Sequence, residues 1–344
     1  MALSTRKRLV MAKLEGTSGT AETTAAVDAL LVTGLNLTPM TGGLVDRELV
    51  RPYYGGADQI PVNTHQQVEF ATEIAGPGAY SIADAAIAAP QWAKLLEAVG
   101  FKAGVFSKIE SGDGNNSLIT YALQSGSEKS LTIRCNYDGA QHELVGCRGS
   151  VVARVASGEI PRMRWTFTGL WRDPAPVAAL NPNVSAWKAP RPGSRADTPT
   201  VSFAGQSGIK VSSVEIDLGV QVRHREIIGG ATEVIISDRA PSGTIVMDAI
   251  ALGTYNPFTA AQSGTTGALK IVHGGVDNDY ASNGNAQAAA SNNRTGKLVQ
   301  FDAPKCQLGE PTYSDDDGIQ QWTIPFTLLP NVAAGNDELE IRVR

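Results

Sequence analysis

The sequence predicts a mainly β fold, and three observations carry that prediction. Apolar and polar side chains alternate with a period of two over several short runs. Thirty-six glycines and 18 prolines punctuate those runs, while long helical patterns are scarce. Hydrophobic residues make up 42% of the 344-residue chain, enough for a folded protein with room for two domains, each burying its own core.

From the N-terminus, residues 1–28 are polar and small, which reads as an extended arm, of the kind a partner orders, or an irregular start. Leu35 and Leu37 open the first strand signal. Gly42-Gly43 and Gly55-Gly56 bracket a loop rich in charge and tyrosine: Arg47, Glu48, Arg51, Tyr53 and Tyr54. Val68, Phe70 and Thr72 alternate with Glu69, Ala71 and Glu73, a strand with an acidic outer face. Ile82 to Val99 is Ala-rich, sets Trp92, Leu95, Leu96 and Val99 at helical spacing, and stops at Gly100; it predicts a helix.

Ser130 to Trp171 predicts three consecutive antiparallel strands. Leu131 and Ile133 alternate with Thr132 and Arg134, and Asn136-Tyr137-Asp138-Gly139 turns the chain. Val151, Ala153 and Val155 form a second inward row opposite Ser150, Val152 and Arg154. After Ser157-Gly158, Met163, Trp165 and Phe167 form a third, opposite Arg162, Arg164, Thr166 and Thr168. Pro174, Pro176, Pro182, Pro190, Pro192 and Pro199 then crowd a semi-rigid crossing segment. The expected organisation is a first module over 1–175, a linker over 176–200 and a second β module over 201–344.

In the second half, Val214, Ile216, Leu218, Val220 and Val222 alternate strictly and predict one long strand. Val276 to Lys297 is rich in Asn, Ala, Ser and Gly and reads as a long exposed loop. Trp322–Leu329 and then Leu339, Ile341 and Val343 close the chain as strands, with Pro325 marking the former as an edge or a bulge.

The halves look alike. GGADQIPVNTHQQVEFATEI, from Gly55 to Ile74, resembles GGATEVIISDRAPSGTIVMDAI, from Gly229 to Ile250. Cys147 and Phe167 recur as Cys306 and Phe326 at one common interval. At that interval Met163, Trp165 and Phe167 fall on Trp322, Ile324 and Phe326, so the inward face is kept. Tandem duplication accounts for both matches; chance similarity of two β-rich segments is the alternative.

The chemistry of catalysis is missing from the pattern. His65, His142, His224 and His273 are isolated, without metal-ligand spacing, and no GxSxG elbow is present. Asp315-Asp316-Asp317-Gly318 reads as a solvated hairpin turn rather than a calcium loop. Three cysteines, at 135, 147 and 306, give neither a disulfide framework nor a zinc pattern, so free thiols from a reducing cytoplasm are expected. The N-terminal apolar run Leu9–Ala12 is too short for a signal-peptide core, and no run approaches a membrane span. A net charge of −5 argues against a nucleic-acid-binding surface. No catalytic residue, cofactor or metal is expected.

A family resemblance runs through the same residues. Leu131-Thr132-Ile133, Tyr137-Asp138-Gly139, His142 to Gly149 (HELVGCRG, with Gly146), Gly158-Glu159 and Phe167-Thr168-Gly169 resemble the tail tube proteins of long-tailed bacteriophages. So do the opening, Arg6 to Gly19, and the segment Pro90-Gln91-Trp92-Ala93-Lys94-Leu95-Leu96 to Gly100-Phe101. The resemblance implies a tail-tube-type β-sandwich or barrel module with a flanking helix, here in tandem. It implies a structural virion protein, made in the host cytoplasm, whose rings stack into the hollow tail tube through which DNA passes without specific binding.

If a ring holds six modules, three two-module chains close it; six chains per ring is the alternative. Tape measure and terminator proteins are the implied partners. Glu69, Glu73, Glu215 and Asp217 are then candidates for the lumen. Arg47, Arg51, Tyr53 and Tyr54 are candidates for ring-to-ring contact, together with the arm at 1–28 and the loop at 276–297. A tail terminator or a decoration protein shares such sandwiches. A carbohydrate-binding or adhesin module is the competing class, and it calls for exposed aromatics, which at 6% are few.

Overall fold

A computed structural model describes residue 4 and residues 6–78, 88–109, 116–178, 181–274 and 297–344. The fold is mainly β, with 52% of residues in strands and 5% in helices. The first half contributes β1 (Arg8–Leu14), β2 (Thr33–Asp46), β3 (Gln59–Glu73), β4 (Val105–Ile109), β5 (Asn116–Ala122), β6 (Leu131–Tyr137), β7 (Ala140–Ala156) and β8 (Arg162–Leu170). The second contributes β9 (Thr200–Phe203), β10 (Val211–Asp217), β11 (Val220–Arg225), β12 (Glu233–Arg239) and β13 (Ser242–Asp248). It closes with β14 (Thr266–His273), β15 (Val299–Leu308), β16 (Thr312–Asp316), β17 (Ile319–Leu328) and β18 (Glu340–Val343).

One continuous antiparallel layer runs through both halves in the order β2-β3-β8-β7-β10-β13-β17-β16. Its inner face carries the predicted apolar rows, to which the structure adds Ile245 and Met247. Val68 and Phe70, Met163, Trp165 and Phe167, Val151 and Ala153, Val214 and Ile216, Ile245 and Met247, and Trp322, Ile324 and Phe326 are all buried. Second layers pack against that face. In the first half β1 pairs β6, which pairs the N-terminal part of β7. In the second, β9 pairs β14, which pairs β15, and β18 joins β15 to β5 and β4 of the first half. Strand β7 reaches both layers because its register slips between Val145 and Arg148, a bulge that bends the strand.

The local chemistry explains where the sequence reading needs correction. Residues 8–14 are a strand with Val10, Met11 and Ala12 buried, not a free arm. The helix is shorter than expected: α1 (Ala93–Leu96) is followed by one 3-10 turn over Glu97–Val99, and Gly100 ends it at φ 100°. Residues 82–87 of the expected helix lie outside the described residues. Trp92 is buried, and its indole N–H donates to the Ala75 carbonyl at 2.9 Å.

The long strand expected over 214–222 breaks at Gly219, whose φ is 60°, and the Asp217 carboxylate accepts its N–H at 2.8 Å. Strand β10 therefore stays in the main layer while β11 leaves it and pairs β12. Gly42 and Gly43 lie within β2 rather than before a loop; a Cβ on Gly42 would stand 2.7 Å from the Val62 carbonyl oxygen. Pro325 lies inside the layer, opposite the break between β15 and β16, and its carbonyl accepts from Gly309 at 2.7 Å. The exposed loop expected over 276–297 falls almost wholly outside the described residues.

Candidate functional site

The residues that carry the resemblance build the junction between the two layers. Asp138 (φ 36°) and Gly139 (φ 106°) form the tight turn from β6 to β7. The Asp138 carboxylate accepts the Ser4 N–H at 2.6 Å and faces the Lys7 ammonium at 3.4 Å. Chiefly through the Ser4 hydrogen bond, its pKa is held below the ordinary carboxylate value. Tyr137 lies under the Arg8 guanidinium, 5.3 Å from the ring centre. A Cβ at Gly149 would meet the Thr166 carbonyl oxygen at 2.3 Å, and one at Gly169 the Cys147 sulfur at 2.6 Å. Gly158 turns the chain into β8 at φ 75°, and Phe167 is fully buried.

One residue at this junction escaped the sequence reading. Glu15 is buried, and its two carboxylate oxygens accept four hydrogen bonds. Oε1 takes the Thr132 hydroxyl at 2.9 Å and the Gly146 N–H at 2.8 Å; Oε2 takes the Ser130 hydroxyl at 2.6 Å and the Gly19 N–H at 2.8 Å. Gly146 presents its N–H from the bulge at φ 62°. The available signal was a lone acid after an apolar run, and nothing local distinguishes it from a surface residue.

The polar face of the main layer gathers the four acidic candidates. Across β3, β8, β7 and β10 one row reads Glu73, Arg162, Arg154, Glu215, and the next reads Ala71, Arg164, Val152, Asp217. Glu69 stands one row further on, opposite Thr166. All four carboxylates thus share one face, but three arginines share it with them. The face is of mixed charge rather than uniformly acidic.

The four basic and aromatic candidates cap the β2–β3 hairpin. Arg47 bonds Asp58 at 2.7 Å, and Arg51 donates to the Gly56 carbonyl at 3.1 Å. Tyr53 and Tyr54 are exposed, as are Met40, Leu44, Val45, Leu49, Val50 and Ile60 along the same hairpin. Large apolar side chains concentrated on one projecting element mark an interaction surface.

A hairpin of the second half, β11–β12, is not free. It lies across the polar face of the first half at the His65 end. Arg148 donates to the Val234 carbonyl, the Val220 N–H to the Ser150 hydroxyl at 3.2 Å, and His65 and His224 stack at 4.9 Å. Arg239 at its base reaches the Gln124 carbonyl at 2.6 Å and Glu338 at 3.2 Å.

A cleft of about 690 Å³ where the ends of β7 and β10 meet is lined by residues such as Ser157, Ser194, Arg195 and Lys210, with no carboxylate, histidine or cysteine. Among the described residues no cluster of His, Cys, Asp and Glu could hold a metal ion. All three cysteines are buried, and burial pushes the Cys135 and Cys306 thiols up to about 12. No helix among the described residues is long and apolar enough to cross a membrane.

Comparison with curated proteins finds no match. A family model does match, and it spans nearly the whole chain: the phage tail tube protein family, over residues 5–328. Tail tube proteins are structural, typically non-enzymatic components of the virion that assemble with themselves and with other tail proteins. With its two-layered β architecture and a match of that extent, the chain belongs to the phage tail tube protein family and is a structural protein of the bacteriophage tail.

Proposed function

We propose that the chain self-assembles into rings that stack into the hollow tail tube, and that DNA passes along the lumen into the host. The observation that carries this reading is the main layer itself: apolar on one face, polar on the other, and open at both ends. Strand β2 pairs only β3, and strand β16 pairs only β17, among the described residues. Unpaired strand edges are a liability for a monomer and a means of assembly for a polymer. Many such layers closed around an axis make a wide barrel with an open channel.

In this reading the face bearing Glu69, Glu73, Glu215 and Asp217 turns to the lumen. Arg154, Arg162 and Arg164 are flanked there by carboxylates, which limits their hold on phosphates, and the chain's net charge of −5 favours sliding over binding. The chain comprises a module over 1–175, a Pro-rich linker over 176–200 and a diverged repeat over 201–344. Three chains close a ring of pseudo-sixfold symmetry. Arg47, Arg51, Tyr53 and Tyr54 reach the adjacent ring, and tape measure and terminator proteins meet the tube's interior and end.

Electron microscopy of the concentrated protein tests the reading. Rings or tubes with an axial channel are expected. Compact monomers that bind glycans would overturn it in favour of an adhesin.

A further inference from the structure

We propose that the β11–β12 hairpin is a latch released by acid: when His65 and His224 are both protonated, its distal half lifts from the first half of the chain. The inference is independent of the tube reading and concerns a contact within one chain.

Two histidines meet where the hairpin crosses the first half. In β3, Val68 and Phe70 point into the core, so the alternation turns His65, Gln67 and Glu69 to the outer face. The register of β2 against β3 slips beside His65, and Asn63 there is left-handed at φ 55°. The Asn63 carbonyl accepts from His65 Nδ1 at 2.9 Å, which orients the ring and leaves Nε2 to take up a proton. In β11, Val220, Val222 and His224 form the covered side, alternating with exposed Gln221, Arg223 and Arg225. The two imidazoles stack with 4.9 Å between ring centres and 21° between planes. His224 Nε2 is buried and, among the described residues, has no hydrogen-bond partner.

The stack tolerates one charge and not two. With one ring charged, the other still offers it a neutral aromatic face. With both charged, two cations stand 4.9 Å apart in a half-buried setting where water screens them incompletely. The surroundings do not offset that charge. The hairpin places Arg223, Arg225, Glu226 and Glu233 around the pair, and Glu233 is already engaged by Arg225 at 3.4 Å. Arg148 approaches from β7 and Arg172 from beyond β8, while Glu69 of β3 stands further along the strand, opposite Thr166. Glu226 is left to answer two imidazoliums amid several guanidinium groups. Burial and the neighbouring His65 both hold the His224 pKa below its ordinary value, with Glu226 opposing them.

The distal half depends on this stack more than the base does. The base is tied by the Val220 N–H to the Ser150 hydroxyl at 3.2 Å and by Arg239 to the Gln124 carbonyl and Glu338. None of those groups changes charge as histidine titrates. Further out, Val234 faces His224 across the hairpin and is buried, and Arg148 donates to its carbonyl. Lifting this end uncovers Val222 and Val234.

Hydrogen–deuterium exchange of the full chain at about pH 8 and about pH 5, with labelling times scaled for the intrinsic rate, tests the latch; carboxylates stay largely ionised across that range. At the acid pH, amides of residues 222–236 should lose protection about tenfold, while those of β8, β10 and the hairpin base keep theirs. His65→Phe and His224→Phe each keep a ring in the stack but cannot complete the charged pair, so protection should persist in both. Equal protection of the distal hairpin at the two pH values would overturn the proposal. So would a loss that either folded variant shares, or one that extends to β8 and β10. The comparison within the parent protein holds even where a variant fails to fold.

Discussion

Glu15 anchors the N-terminal strand, and its replacement by alanine tests whether that anchor supports the fold. The substitution removes an acceptor that serves two hydroxyls and two backbone N–H groups. The Ser130 and Thr132 hydroxyls can rotate toward other acceptors; the N–H groups of Gly19 and Gly146 cannot. A buried donor left unpaired costs about 1–3 kcal/mol, and bonds to a charged acceptor contribute about 1.5–3 kcal/mol each. The expected loss, after partial rehydration, is about 3–5 kcal/mol.

For a chain of this length that corresponds to a fall in thermal midpoint of about 4–7 °C if the protein unfolds as one unit. Glu15→Gln keeps the shape but turns an amide NH₂ toward donors, so it should cost about 2–4 kcal/mol, whereas at a solvated surface it would cost almost nothing. Urea unfolding followed by tryptophan fluorescence measures both. A Glu15→Ala protein within about 1 kcal/mol of the parent would refute the reasoning.

Three further outcomes are expected. Gly149→Ala should destabilise by about 2–3 kcal/mol, because its Cβ collides with the Thr166 carbonyl, whereas Gly139→Ala, with open space around it, should cost only about 1 kcal/mol of backbone strain; denaturant melts distinguish them. The three cysteines should resist a thiol reagent in the native state and all react once the chain unfolds, since burial both covers them and raises their pKa values. Burial also holds His142, His224 and His273 below the ordinary value of 6.5, with His65 adding to the effect at His224. The unfolded chain therefore takes up protons first, so stability present above that value should be lost as pH falls through the lowered folded values; melts from about pH 7.5 to about pH 6 read this out.

Much of the main layer was legible because its strands are buried on one face only. Met163, Trp165 and Phe167 alternate with arginines and threonines, and such a pattern has one solution. Strand β1 was not legible, because Val10, Met11 and Ala12 are buried consecutively and leave no period to read. The Ala-rich periodicity before Gly100 overstated the helix, since spacing alone does not supply the tertiary packing that sustains one. Glycine was ambiguous in principle. Gly42 marks a close strand approach and Gly219 a left-handed break, and both look like turn residues in sequence.

The candidate site was legible in its parts and not in its arrangement. The acidic residues were recognisable as outward-facing, yet Arg154 and Arg162 come between Glu73 and Glu215 only through the register of strands far apart in sequence. The tyrosines and arginines of the β2–β3 loop were visible as a cluster. What the sequence could not give is the contrast between this exposed hairpin and the covered hairpin β11–β12, because burial depends on the partner rather than on the residues themselves.

The rotational symmetry of an assembled ring tests the account most directly. Image averages along the tube axis, with the native mass of single rings, should give three chains per ring, each contributing its eight-stranded layer of β2-β3-β8-β7-β10-β13-β17-β16 to one continuous wall. Six chains per ring, or a wall in which β2 and β16 remain unpaired, would contradict it.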